Sequence, residues 1–295
     1  MGALVLSRNV AIYSTRRLTE AFRSRGLPLA VLDPAAICLK VSGATVELHE
    51  GGRRLQNPDV VIPRIGIGTT EHSLAVLCQF ETLRVPLTAS ADAVRRSKDK
   101  MSCLQALSAA GIPIPETALA RQSPDATWAV EAVGGPPVVL KFLSGTHGVG
   151  VFLADTEESA RSILEAMWSL EKNLIVQRFI KSAAGQDLRL FVVGDRVVAA
   201  IRRIAPEGAF RSNLHTGGRP EPFAPTEELT DLALRSTQTL GLRIAGVDVV
   251  ESEDGPLVLE VNSSPGLEGI EDATGIDVAG AIADEAILVS EGGGR

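Results

Sequence analysis

Aromatic residues are scarce in this chain: eight Phe, two Trp and one Tyr make up 4% of 295 residues. A core without them must be filled by Val, Ile, Leu and Ala, which favours an α/β architecture with buried strands. Cysteine is equally sparse. Cys38, Cys78 and Cys103 are odd in number and show no metal or redox spacing, so they exclude a disulfide framework and read as small core hydrophobes. No apolar run approaches the length of a membrane span. The N-terminal MGALVLSRN has neither a signal-peptide layout nor a Ser or Thr at position 6 for myristoylation. The expected location is the cytoplasm, with no membrane partner.

Two chemical signatures are missing as well. The chain has no Gly-Lys-Ser or Gly-Lys-Thr of a P-loop and no G-x-S-x-G turn for a covalent nucleophile. A net charge of −7 argues against direct nucleic-acid binding, which needs a basic footprint. Positive charge is instead grouped in islands: Arg16-Arg17, the stretch Arg95-Arg96-Ser97-Lys98-Asp99-Lys100, and Arg202-Arg203 with Arg211.

The densest chemistry lies in GVDVVESEDGPLVLEVNSSPG. Asp248, Glu260 and Asn262 bring two carboxylates and an amide oxygen, hard ligands suited to Mg²⁺, onto one expected β-hairpin. Glu260 and Asn262 are two apart and share a strand face. Asp248 joins them only if the pairing has the right parity. A two-residue loop at 254 and 255 would set Asp248 opposite Val261, so an odd-length loop or a bulge is expected. A single carboxylate is ordinarily a solvated hairpin edge. Glu260, however, sits within Leu257-Val258-Leu259-Glu260-Val261, which reads as a buried strand, where an unpaired charge is costly.

Residues 1–90 alternate strand and helix signals: ALVLS, a helix from Ser14 to Arg25, LAVLD, a hairpin around Gly51-Gly52, VVIPR, and a helix from about Glu71 to Leu83. That alternation implies a small open parallel sheet. A bridging helix is expected over about 91–110 within a connection spanning 91–113. Residues 114–185 form a central subdomain with the strands PPVVLKF and LIVQRFI. Residues 186–295 carry DLRLFVV and RVVAAIRRI around the turn Gly194-Asp195, then a polar loop over 205–224. A helix from Thr226 with the stripe Leu229, Leu232, Ala233, Ser236 and Leu240, the metal hairpin and a C-terminal helix from about Asp277 complete it. The fold class is α/β, turning α+β in the C-terminal part.

Lys141 ends the apolar strand Val138-Val139-Leu140, just before Ser144-Gly145-Thr146-His147-Gly148-Val149-Gly150. Small residues there let backbone amides approach an anion, and a lysine at the strand end supplies a point charge. Arg211 and Asn213, in FRSNLHTGG, can present fixed donors to an oxyanion. His147 and His215 lie near this chemistry, although a loop histidine is more often a solvated bystander.

Taken in order, VVLKFLSGTHGVGV, LIVQRFI, DLRLFVVGDRVVAAIRR, FRSNLHTGG, GVDVV and LEVNSSPGLEGIE resemble the RimK family of ATP-grasp α-L-glutamate ligases, and SRN and DVVIPRIG extend the resemblance to the start of the chain. The resemblance implies three subdomains, with ATP held between two antiparallel sheets. Lys100 and Lys141 match the lysines that grip the ATP phosphates. Gln177, Arg178, Phe179 and Ile180 match the hinge that meets adenine, and Asp187 matches a nucleotide-binding position. Arg211 and Asn213 match a loop that contacts phosphate and nucleotide. Asp248, Glu260 and Asn262 match the ligands of Mg²⁺ or Mn²⁺, two ions in number. Arg178 stands where the family pattern has an acidic residue, and Arg202 also replaces an acidic one, placing extra positive charge near the acceptor.

The implied reaction passes the γ-phosphoryl group of ATP to a carboxylate and then lets an amine attack the acyl phosphate. Lys141 counters charge on the transferring group and Arg211 stabilises the oxyanion. Segment 145–150 is the expected lid. The expected product is glutamate added to a C-terminal glutamate, on a ribosomal protein or on poly-α-glutamate. One alternative is the same chemistry on a small metabolite, carrier protein or cofactor tail with another amino acid; another is a nucleotide-binding regulator without turnover. The resemblance also implies a homo-oligomer such as a tetramer.

Overall fold

The computed structural model describes residues 2–66, 71–143, 150–209, 212 and 217–292. Strand β1 (Ala3–Leu6), with every residue buried, leads into helix α1 (Tyr13–Ser24), and β2 (Leu29–Leu32) follows. An antiparallel set of β3 (Ile37–Ser42), β4 (Thr45–Glu50) and β5 (Arg53–Arg54) is inserted before β6 (Val60–Pro63) and α2 (Glu71–Thr82). The hairpin expected at Gly51-Gly52 joins β4 to β5, and a second turn at Gly43-Ala44 joins β3 to β4. Strands β2, β1 and β6 form the parallel sheet, with β1 central.

The single helix expected over 91–110 is two helices, α3 (Ala91–Lys98) and α4 (Lys100–Ala109). Asp99 breaks it. At φ −97°, ψ 111° it leaves helical geometry, and its carboxylate accepts the Ser102 N–H at 2.7 Å to cap α4. A side chain that offers the backbone an alternative partner favours such a cap over a helix interior.

The central part comprises β7 (Thr117–Leu119), α5 (Ala126–Glu131), β8 (Val138–Phe142), β9 (Val151–Ala154), α6 (Glu157–Ser169) and β10 (Leu174–Arg178). Its sheet runs β7-β10-β8-β9, antiparallel throughout. Helix α6 opens on a capping box between Thr156 and Ser159. Val138, Leu140, Leu174, Val176 and Leu164 fill a core of this part's own.

The last part comprises β11 (Gln186–Val193), β12 (Arg196–Ile204), β13 (Arg219–Pro222), α7 (Glu227–Thr239), β14 (Ile244–Ser252), β15 (Gly255–Asn262), α8 (Glu268–Thr274) and α9 (Val278–Gly292). Its antiparallel sheet runs β13-β12-β11-β14-β15. The stretch expected as a loop from 205 to 224 thus contains an edge strand, tolerant of Pro220 and Pro222 because an edge strand leaves one side of its ladder free. The five residues of the stripe on and just after α7 are all buried.

Two cores weld the first domain to this sheet. Leu188, Leu190, Val247, Val249 and Val261 cover one face together with Leu77, Phe80, Val94 and Leu107 from α2, α3 and α4. On the other face Phe191 joins Val193, Ala199 and Ile201 against Phe22, Leu18 and α9. Ion pairs Arg17–Glu271 and Arg25–Asp284, at 2.9 and 2.7 Å, tie α1 to α8 and α9. Cys103 is buried as expected, but Cys38 and Cys78 are exposed. Cys38 is exposed on the antiparallel insertion, whose Ile37 and Leu48 enter the core instead, and Cys78 is exposed on α2, whose Leu77 and Phe80 do so. Among the described residues no helix is long and apolar enough to cross a membrane.

Candidate active site

Period-two alternation gives the C-terminal sheet one apolar face and a second that is charged around Asp187, Arg189 and Asp248 and apolar from Phe191 onward. Leu188 and Leu190 point one way; Asp187 and Arg189 point the other. In register across three strands, Arg189 on β11 faces Asp248 on β14, which faces Glu260 on β15, and Gly246 faces Asn262. Arg203 on β12 faces Asp187.

The parity of the metal hairpin is set by a bulge. The turn is Glu253-Asp254, one residue earlier than Asp254-Gly255, and pairing from Ser252↔Gly255 to Val249↔Val258 would put Asp248 opposite Leu259. An extra residue in β15 shifts the register so that Asp248 meets Glu260. Glu260 and Asp248 therefore share the charged face. The expectation of a buried setting for Glu260 is corrected: its side chain is 36% exposed, because its face opens away from the core that Val258 and Val261 enter.

Asp248 is only 2% exposed and is enclosed by guanidinium groups. Arg189 Nε and Nη2 donate to its two oxygens at 2.7 Å each, a fork-to-fork pair, and Arg203 Nη2 reaches Oδ2 at 2.8 Å. Burial alone would raise the Asp248 carboxyl; Arg189 and Arg203 outweigh it and hold it well below the usual carboxylate range. Arg203, equally buried, also donates from Nε to Asp187 at 2.6 Å. Burial works against its charge, yet Asp248 and Asp187 raise its pKa above the ordinary value.

Two lysines approach from outside the sheet. Lys100 begins α4, its backbone N–H bonded to Leu143 O at 2.9 Å, and its Nζ lies 3.7 Å from Glu260. Lys141 donates from Nζ to Gln177 Oε1 at 2.7 Å, and Gln177 passes the chain on to Thr117 through Nε2 at 2.9 Å. Gln177 is a neutral acceptor, so its hydrogen bond does not neutralise Lys141. Burial pushes Lys141 down to about 8, with Glu260 and Asp248 opposing that shift and Lys100 adding to it. A desolvated lysine held by a neutral acceptor gains when a polyanion arrives.

The hinge residues divide. Gln177 is buried, while Arg178 is half exposed and pairs with Glu116 at 3.2 Å, so a carboxylate does stand beside the hinge, carried by the neighbouring segment. Phe179 and Ile180 follow β10 directly. Asp187 faces Arg203 rather than open space. Arg202 points to the opposite face from Arg203, where it pairs with Glu251 at 2.9 Å and stacks on Phe223. Its charge is balanced there, which corrects the expectation of extra positive charge at the acceptor. Arg211, Asn213, His147, His215 and residues 144–149 lie outside the described residues.

The donor set suits a hard divalent cation. Glu260 pairs with Lys100 at the long distance of 3.7 Å, Asn262 Oδ1 accepts one hydrogen bond, from Ser264 N–H at 3.0 Å, and Asp248 uses three of about four lone-pair positions. Each therefore keeps a position for a cation. Among the described residues no group of three or more His, Cys, Asp or Glu gathers as a metal cluster; the candidate oxygens here come from two carboxylates and one amide.

Sequence reasoning missed Arg189 and took Arg203 as a surface island. Alternation was the available signal: a charged residue every second position in a strand whose other face is Leu marks a buried polar row.

Comparison with known proteins gives a consistent picture. Residues 1–94 match the RimK PreATP-grasp domain and residues 97–286 the RimK-like ATP-grasp domain. A probable alpha-L-glutamate ligase of Nitrosococcus oceani is 48% identical over 279 residues, covering 95% of this chain and 93% of that protein. One from Pseudomonas aeruginosa is 48% identical over 283 residues, covering 96% and 94%. The crystal structure of a RimK domain ATP-grasp protein from Sphaerobacter thermophilus superposes with a TM-score of 0.75 at 30% identity, over 97% of this chain and all of that one. The ATP-grasp ligase PsnB, complexed with minimal precursor, Mg and ADP, shares the fold at 21% identity, TM-score 0.74, over 98% of each chain.

Proposed function

The chain belongs to the RimK family of ATP-grasp ligases, and from that premise we propose that this ATP-dependent ligase adds glutamate to a C-terminal glutamate, on a ribosomal protein or on a growing poly-α-glutamate. The 48% identity to probable alpha-L-glutamate ligases over nearly the whole chain supports glutamate as substrate. The observation that carries the chemistry is the in-register row Arg189–Asp248–Glu260 with Lys100 and Lys141 set against it.

Each side chain has a task in that reading. ATP lies in the cleft between the two antiparallel sheets, as the family fold implies. Lys141, held by Gln177, and Lys100 meet its phosphates, while the segment Gln177 to Ile180 meets adenine. Arg178 with Glu116 places a carboxylate at the hinge where the family pattern has its own. Asp248, Glu260 and Asn262 would hold Mg²⁺ or Mn²⁺, two ions, whose positive charge lowers the cost of moving a phosphoryl group onto a carboxylate. Arg189, fixed by Asp248, presents its guanidinium edge to the anionic acyl phosphate and the departing phosphate, and the buried Arg203 holds Asp187 and Asp248 in place behind it. Arg211 serves the same oxyanion, and Asn213 the nucleotide. Segment 145–150 closes over the site, since an acyl phosphate must be kept from water. Gly150, at the end of that segment, packs so closely on Phe142 that a Cβ there would lie 1.9 Å from the ring. The active unit is a homo-oligomer in the cytoplasm.

Product analysis tests the reading. The protein is incubated with ATP, Mg²⁺ and each amino acid in turn, and ADP and products are followed by mass spectrometry. ADP with oligoglutamate is the expected result; ADP only with a different amine or acceptor transfers the reaction to another substrate. Nucleotide binding with no ADP under any mixture would leave a regulator without turnover.

A further inference from the structure

Arg64 is the first residue after β6, at the carboxyl end of a parallel strand, where open α/β sheets place their ligands. It turns towards the segment that follows the metal strand: its Nη2 donates to the carbonyl of Pro265. Its Nη1 is sealed from solvent and has no partner among the described residues. The neighbouring Ser264 Oγ is a second buried polar atom without a partner. Among the described residues only three buried side-chain atoms are orphaned in this way, and two of them flank the Ser264-Pro265 peptide. Lys98, the last residue of α3, is near enough to Arg64 for their charges to repel. Lys98 makes no hydrogen bond or ion pair among the described residues; burial first, then repulsion from Arg64 and Lys100, push it down to about 8 against the pull of Glu260. Ser97, its neighbour, is anchored to Ser263 at 2.8 Å, which holds the end of α3 on the same loop. Arg64 itself is pushed by burial down to about 10.

A guanidinium nitrogen and a hydroxyl left without partners inside a protein each carry the full desolvation cost of an unmade hydrogen bond, more for the charged one. Repulsion between Arg64 and Lys98, only partly offset by Glu260, adds to that cost. All of it is relieved by one ligand type: a small anion with at least two acceptor oxygens. The place identifies which anion. Pro265 packs against Gly246, whose Cβ position would be 2.9 Å from the Pro265 ring and 3.5 Å from Arg189 Nε, so the orphaned pair lies beside the Arg189–Asp248 row. The nucleotide lysines Lys100 and Lys141 meet that row from the side of α4 and β8, while Arg64 comes from the first domain.

We propose that Arg64, Ser264 and Lys98 form a carboxylate pocket that binds a non-reacting carboxylate of an amino-acid substrate and thereby aligns it with the phosphorylated centre. The inference rests on the ligase reading above. The carboxylate comes either from the incoming amine or from the side chain of the acceptor's terminal residue. In both cases Arg64 touches substrate through Nη1, since Nη2 is held by Pro265, and Ser264 through its hydroxyl, while Lys98 supplies charge. Holding the non-reacting end converts a bimolecular attack into an oriented one.

Calorimetry on the full-length protein, loaded with Mg²⁺ and a non-hydrolysable ATP analogue, tests this with two probes: glutamate, and N-acetylglutamate, which has no free amine. Arg64→Gln weakens binding by at least about tenfold and Ser264→Ala by about threefold, with nucleotide affinity within about twofold of wild type. Because Ser264 Oγ has no partner among the described residues, Ser264→Ala keeps or raises the wild-type melting temperature, so a loss of binding is not a loss of folding. A loss confined to glutamate assigns the pocket to the incoming amine; a loss extending to N-acetylglutamate assigns it to the acceptor. Unchanged affinity for both probes in both variants, or no wild-type binding of either probe, overturns the pocket and leaves buried water as the partner of Arg64. If wild type turns over only with another amino acid, the glutamate reading falls, and that amino acid with its N-acetyl derivative replaces the probes.

Discussion

Arg203 and Asp248 meet at 2.8 Å although they belong to β12 and β14, with the whole of β11 between them. Arg203 spans that distance over Asp187, and Arg189 closes the other side of Asp248. Four charges thus neutralise one another in a buried patch, two of each sign. Breaking such a set by removing one member leaves an uncompensated buried charge.

Arg203→Met should therefore lose about 3–5 kcal/mol of stability. Urea unfolding monitored by circular dichroism measures it. A loss under about 1 kcal/mol would mean that water reaches the patch and that Asp248 is not enclosed as described.

Lys141 predicts a proton linkage. Its free-protein pKa of about 8 lies below the ordinary 10.5, so between those values folding releases a proton and the stability contributed by this group rises with pH. ATP phosphates favour the ammonium, so nucleotide binding takes a proton up near pH 8 to 9 and none at about pH 6.5. Titration calorimetry in buffers of different ionisation enthalpy reads the uptake, which shrinks in Lys141→Arg. Equal binding heats in all buffers at about pH 8.5 would contradict the assignment.

Gln177 holds Lys141 without neutralising it. Gln177→Glu supplies a carboxylate that competes with phosphate, and ATP affinity falls by about tenfold, the size of a charge-assisted hydrogen bond. Gln177→Leu weakens binding less. If Gln177→Glu bound ATP as wild type does, Lys141 would not be the phosphate ligand.

Gly246 has no room for a side chain, since Pro265 occupies the space at 2.9 Å. Gly246→Ala pushes the Ser263–Pro265 loop outward and lowers stability by about 1–3 kcal/mol. A melting temperature equal to wild type would show that the loop yields freely.

Much of this was legible in the residues. The alternating elements of the first domain, the α7 stripe and the hairpin parity all follow from periodicity, and the required bulge appears at Leu259. What the sequence withheld depends on contacts between distant segments. Asp99 reads as part of a basic helix until its cap on Ser102 is seen. Arg202 and Arg203 look like one island, yet one faces Glu251 and the other Asp187. Arg64 stands in the sequence only as part of DVVIPRIG, because its setting is made by Pro265, 201 positions away.

The central claim is that a carboxylate is activated by phosphorylation before the amine attacks. It is tested by supplying an acceptor whose C-terminal carboxylate oxygens are ¹⁸O and analysing the released inorganic phosphate by mass spectrometry. One ¹⁸O per peptide bond formed, with ADP as the other product, is the predicted result; unlabelled phosphate, or AMP in place of ADP, would contradict it.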